Sequence, residues 1–355
     1  MLVYLDTADF ATLERASGIE RHDFQVIWDK NGCELALSFH HFQEIAQLND
    51  EESIKRRFRL FNNFKIIRGE NISSSRAFRL EIIKQLMASG FMVASNQIDF
   101  QSALFPPLPA AEMAEICDVI IHSLKQYNML QNAQKMGAAS SNYAKQAQNG
   151  LKPNFRKKVD MELLNSPDVE SLFKSSISGL PAELQNIVIS NFSTLKNAIE
   201  EEGTPRAALV TLFGLSGLGE IKDVPDSDLP LVAHFFDIAK ELLGELSSNY
   251  GLTLADSESV LNTLNPYRSI SFLLHASIES ARGQHPKEDV ASDDVDTAHI
   301  CFAPYVDLLF VDKRTAGFLR QEATKKPSLQ DFLEKGIIKQ GGTLERVAEA
   351  IEAKS

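Results

Sequence analysis

The chain alternates between two rhythms of hydrophobic positions. Short apolar runs ending in a polar or acidic residue come first: Leu2-Val3-Tyr4-Leu5 leads to Asp6, and Leu35-Ala36-Leu37 leads to Ser38. Continuous runs of this length predict strands buried on both faces, and the helical spacing between them predicts crossover helices. Up to about Gly90 the pattern reads as strand, helix, strand, helix, helix, a short strand near Phe64-Lys65-Ile66-Ile67, and a helix from Arg76 to Met87. Phe105-Pro106-Pro107-Leu108-Pro109 interrupts it, because proline lacks the amide that either regular element needs. From Ala110 to about Arg282 apolar residues recur at three or four, as in Ile116, Ile120 and Leu124 or Phe192, Leu195 and Ile199. No period repeats along this stretch, so a solenoid is not expected.

The first rhythm then returns. A helix is expected from about Ser292 to Tyr305, a strand from Asp307 to Val311 closed by Asp312, and a short strand at Gly336-Ile337-Ile338-Lys339. An amphipathic helix over Leu344 to Ile351 follows. This predicts an α/β protein whose core is built from residues 1–105 and 285–355, split by a large α-helical insertion over 106–284.

Four acids fall where this pattern ends a strand or begins the following helix. Asp6 closes the first strand, and Glu44 lies six residues past Ser38 in a helix whose apolar face is Phe42, Ile45 and Leu48. Asp296 and His299, three apart, share a helix face, and Asp312 closes the last core strand. In order and context these segments resemble the PIN and PIN-like family of metal-dependent nucleases, over roughly residues 1–90 and 291–319. The resemblance implies a three-layer α/β/α core around a parallel sheet. It also implies a site in which Asp6, Glu44, Asp296 and Asp312 bind Mg²⁺ or Mn²⁺ and serve as the catalytic acids. Hard cations take oxygen ligands, and such ions neutralise phosphate oxygens and activate water for phosphodiester hydrolysis. The implied activity is an endoribonuclease, in a toxin or defence setting by family habit, with DNA as a second substrate. Many members carry Thr or Ser two residues before the fourth acid, where this chain has Phe310.

Each acid also has a plainer role. Asp6 and Asp9 suit the first turn of a helix, Asp293 and Asp294 suit another helix start, and Glu44 taken alone suits a solvated face. Asp307 begins its strand and so falls away from the site, and His299 reads as a structural hydrogen-bonding residue rather than a ligand. A haloacid-dehalogenase-type phosphatase needs acids two apart after the first strand, and the second place here is Ala8. A zinc peptidase is disfavoured because His40-His41 lacks the His-Glu-x-x-His spacing. The alternative to a nuclease is a PIN-like scaffold or RNA-binding module without catalysis.

Composition narrows the partners. The 355 residues carry a formal net charge of −12, which opposes broad affinity for phosphates and directs attention to local cations. Two basic clusters interleave a phenylalanine: Lys55-Arg56-Arg57-Phe58-Arg59 and Lys152-Pro153-Asn154-Phe155-Arg156-Lys157-Lys158. Lys55, Arg56, Arg57, Arg156, Lys157 and Lys158 are the candidate contacts to single-stranded RNA, and the helical insertion is the candidate surface for a regulatory partner. Cys33, Cys117 and Cys301 form no Cys-x-x-Cys pair, so reduced thiols are expected. No run approaches the length of a membrane span, and the first residues lack a leader's features, which together predict a cytoplasmic protein with no membrane partner.

Overall fold

In the computed structural model, the two apolar runs at the start of the chain form neighbouring strands, β1 (Leu2–Tyr4) and β2 (Glu34–Leu37). The structure describes residues 1–48, 50–69, 74–91, 99–122, 228–250, 259–284 and 293–355, with isolated positions between 190 and 224. β3 (Ile67–Gly69), β4 (Leu308–Val311) and β5 (Ile338–Gln340) complete one sheet in the order β3-β2-β1-β4-β5, and every pair is parallel. Val3 is in register with Leu35 on one side and Leu308 on the other.

Every residue of β1 and β4 is buried, as a parallel sheet covered on both faces requires. Alternate residues go to opposite faces. Val3, Leu35, Leu37, Leu308 and Phe310 join one cluster with apolar residues of α1 (Thr7–Arg15), α2 (Gly18–Lys30), α3 (Phe39–Ala46), α4 (Glu51–Phe61), α7 (Ala110–His122) and α13 (Leu344–Lys354). On the other face Tyr4 stacks on Phe302 and meets the edge of Phe105. Between these helices come α5 (Ser74–Ala88), α6 (Phe100–Leu104), α8 (Leu229–Tyr250), α9 (Ile270–Gln284), α10 (Asp293–His299), α11 (Lys313–Ala323) and α12 (Pro327–Glu334).

The chain divides into two units. The first comprises Met1–Lys135, Thr263–Gln284 and Ala291–Ser355, and the second Met136–Asn262 with His285–Val290. α7 and α9 both belong to the first unit. Met113 and Ile120 of α7 join the core cluster, and the Ser271 hydroxyl of α9 donates to the Cys301 carbonyl at 2.8 Å. In the second unit α8 buries Val232, Phe235, Phe236, Ala239, Leu242 and Leu243, a stripe at helical spacing. No helix among the described residues is long and apolar enough to cross a membrane.

Three element boundaries depart from the sequence pattern, each for a visible reason. β3 begins at Ile67 rather than near Phe64, because Phe64 is taken up by the core, its ring edge-on against Trp28. The helix after residue 292 is α-helical only to His299 and continues as a 3₁₀ turn over Ile300–Tyr305, where Pro304 cannot donate. β5 is Ile338–Gln340, entered through Gly336 at φ 67°.

Gly69 ends β3 at φ 136°, and a Cβ built there lies 2.1 Å from the Leu37 carbonyl oxygen. Backbone cannot yield as a flexible side chain does. Gly69→Ala should therefore destabilise the protein by at least about 1–3 kcal/mol, read as a lowered urea midpoint; an unchanged midpoint would show that the β2–β3 edge relaxes freely.

Candidate functional site

The strand order runs from β1 outward through β2 to β3, then returns to the other side of β1 with β4, so the topology switches direction between β1 and β4. Open α/β sheets gather ligands at such a switch, beyond the C-terminal ends of the strands. Both strands leave there with an acid: Asp6 follows Tyr4 by two residues and Asp312 follows Val311 directly. Asp312 is the N-cap of α11, its Oδ1 accepting the Thr315 amide at 2.5 Å. Glu44 arrives on α3 from β2, and Asp296 on α10 from the distant C-terminal half.

The charges of these four acids act on one another. Burial first, then Glu44, Asp9 and Asp312, push the Asp6 carboxyl up to about 7, against the opposing influence of His299. Burial likewise, followed by Asp6, Glu44 and Asp312, pushes Asp296 up to about 8, again opposed by His299. A desolvated carboxylate among like charges holds its proton, and both effects act here together.

Glu44 goes the other way. Burial raises it, but His299 Nε2 lies 3.1 Å from its Oε2 and the Thr7 hydroxyl donates to the same oxygen, and these hold it below the ordinary range. His299 is correspondingly raised: burial lowers it, and the hydrogen bond and charge of Glu44, with Asp6 and Asp296, outweigh that. On its far side His299 Nδ1 is hydrogen-bonded to the Tyr4 hydroxyl, which in turn lies 2.6 Å from the Ser38 hydroxyl. Tyr4 is fully buried and its pKa is raised well above the phenol value, first by that burial, so the group is a neutral bridge.

A second histidine fixes the strand end. The Ser38 amide donates to His41 Nδ1 at 3.0 Å, which leaves the proton on Nε2, and Nε2 donates to the Leu5 carbonyl at 2.8 Å. Burial, then His299, depress His41 well below the usual histidine value and keep it neutral. Asp9 ties the other flank. Its Oδ1 accepts the Gly342 amide at 2.6 Å and its Oδ2 the Asp6 amide at 3.3 Å, linking α1 to the loop after β5. Gly341 makes room, since a Cβ there would lie 2.4 Å from Asp9 Oδ1. Asp307 sits at the opposite edge of the sheet, accepting the Leu2 amide at 2.7 Å.

The first basic cluster is occupied by the protein's own acids. Lys55 pairs with Glu51, Arg56 with Glu14, Arg57 with Glu14 at 2.9 Å, and Arg59 with Glu52 at 3.9 Å. Arg57 is buried as well. Arg156, Lys157 and Lys158 lie outside the described residues.

The donor set of Asp6, Glu44, Asp296 and Asp312 fits a hard divalent ion in chemistry, being four carboxylates of which two keep their protons near neutrality. In position the fit is incomplete: among the described residues no three His, Cys, Asp or Glu donors are gathered closely enough to hold an ion. One oxygen of Glu44 already accepts from Thr7 and His299, and one of Asp312 from Thr315. Compared with protein-family models, with curated proteins and with solved structures, the chain matches none.

Sequence reasoning did not find Tyr4, Thr7, Ser38 or His41 as parts of this network. A faint signal existed: a phenol inside a fully apolar strand and a Ser at a strand end with His three residues later both require buried partners.

Two outcomes follow for the protein held free of divalent ions. Asp6 and Asp296 have folded values raised above the unfolded carboxyl near ~3.9, so their stabilising contribution is full below that pH and is lost as pH rises through about 7 and 8. Asp296→Asn should match the parent's Tm near pH 4 and exceed it increasingly toward pH 9; parallel Tm curves would refute the coupling. Tyr4→Phe strands Ser38 and His299 without their bridging hydroxyl and should cost about 1–3 kcal/mol in urea unfolding, against no loss if the phenol is idle.

Proposed function

We propose that this chain is a metal-dependent endonuclease of the PIN-like class, acting on the phosphodiester bonds of single-stranded RNA with Mg²⁺ or Mn²⁺. The observation that carries this reading is the mutual electrostatic coupling of Asp6, Glu44, Asp296 and Asp312 at the switch point of the parallel sheet. A stable fold gains nothing from crowding buried carboxylates, and such crowding is instead the mark of sites built to receive a cation or a proton. Asp6, Asp296 and Asp312 would hold the ion, with Glu44 at its side. The chemistry a bound ion supplies is neutralisation of the phosphate and activation of water.

The chain's own groups have separable roles. His299 and Thr7 orient the Glu44 carboxylate, and Tyr4 and Ser38 hold His299 from behind. His41 fixes the Leu5 carbonyl and so the direction in which Asp6 leaves the strand. A second reading, a PIN-like RNA-binding module without catalysis, is favoured by the engagement of Glu44 with His299 and by the absence of an enclosing three-donor group among the described residues.

One assay separates the two. Purified protein incubated with labelled single-stranded RNA or DNA should cleave RNA when Mn²⁺ or Mg²⁺ is added and leave it intact with EDTA. Asp296→Asn should abolish cleavage by about 10²-fold or more while its circular dichroism spectrum is preserved. Metal-dependent binding without product in the parent protein would favour the non-catalytic module, and wild-type rates in Asp296→Asn would remove the acid from the site.

A further inference from the structure

A strand of nucleic acid must cross the surface on one flank of the acids or the other, and the two flanks differ. On the flank beside α4 the described cations Arg56 and Arg57 are both held by Glu14. On the flank beside β5 a cavity of about 260 Å³ opens directly against Asp6 and Asp312, with Gln340, Gly341 and Gly342 from the loop after β5 in its wall. Lys313, at the start of α11, and Arg346, in the first turn of α13, also line this cavity. Both are exposed, and neither forms an ion pair among the described residues.

The cavity also holds acids, and their states differ. Asp9 has each carboxylate oxygen engaged by a backbone amide, of Gly342 and of Asp6. Asp6 and Asp312 belong to the proposed metal edge. The unspent charges facing an approaching ligand are therefore Lys313 and Arg346, an ammonium and a guanidinium of the kind that binds phosphate oxygens.

Resting on the nuclease reading above, we propose that this cavity seats the phosphodiester next to the scissile one, with Lys313 and Arg346 as its contacts. The single strand then runs off the acidic site over β5 rather than over α4. Against a net charge of −12, two cations beside the site that form no ion pair among the described residues are a local exception to the repulsion of a polyanion.

The test is fluorescence anisotropy with a fluorescein-labelled single-stranded oligouridylate, in EDTA so that no cleavage occurs, over a range of KCl. Lys313→Ala with Arg346→Ala should weaken binding and lower the slope of log affinity against log salt by about 0.7, the value for one single-strand phosphate neutralised. Lys30→Ala with Lys354→Ala removes the same charge at the C-terminal ends of α2 and α13, away from the cavity and from β5, and should leave the slope nearly intact. In cleavage assays with Mn²⁺ the first pair should raise KM more than it lowers kcat. An unchanged slope, or equal losses in both double variants, overturns the cavity assignment while leaving cleavage by the parent protein as evidence for the nuclease. A parent protein that neither binds nor cleaves RNA overturns both.

Discussion

Asp6, Glu44, Asp296 and Asp312 bring like charge into a volume from which most water is excluded, and the remainder of the first unit works against that repulsion. Two of the acids respond by holding protons near neutral pH. A third, Glu44, remains ionised because His299 stands 3.1 Å away with its own basicity raised. Within the protein this ion pair is a partial stand-in for a cation, one positive charge set among four acids. Removing one member of such a buried pair leaves the other uncompensated, which is why the pair and its supports form one unit.

Those supports come from parts of the chain far apart in sequence. Tyr4 lies in the central strand, Ser38 at the end of its neighbour and His299 at the end of α10, yet they share one line of hydrogen bonds. His41 adds a second line, from the Ser38 amide to the Leu5 carbonyl. Both lines keep the C-terminal edge of β1 and β2 in one orientation. The loop after β5 joins this edge where Asp9 accepts the Gly342 amide.

The parts of this arrangement legible in the sequence are those with a local signature. β1, β2 and β4 announce themselves as uninterrupted apolar runs, and Asp6 and Asp312 are marked by closing two of them. Glu44 and Asp296 carry weaker marks, being acids on helices, and only their order along the chain singles them out. What was hidden depends on tertiary partners. Phe64 reads as a strand residue until Trp28 is placed beside it, and α9 reads as part of a helical insertion until its Ser271 meets Cys301. The first basic cluster is legible as charge, and so are its neighbours Glu51 and Glu52, but Glu14, which engages Arg56 and Arg57, is more than forty residues away. Lys313 and Arg346 lie far apart in sequence and share a cavity only in space.

The central strand has a further implication for how the protein is made. β1 meets its first partner, β2, within a few tens of residues, but its second, β4, begins at Leu308. During translation at ~5–20 residues per second, about 15–60 s separate the synthesis of the two. Through that interval one side of β1 carries unpaired amides and carbonyls, the condition that invites strand-to-strand association between nascent chains. The acids are equally dispersed until then, because Asp296 and Asp312 have not been made. Docking of β4 beside β1 consequently joins the two halves of the sheet and completes the acidic edge in a single late event.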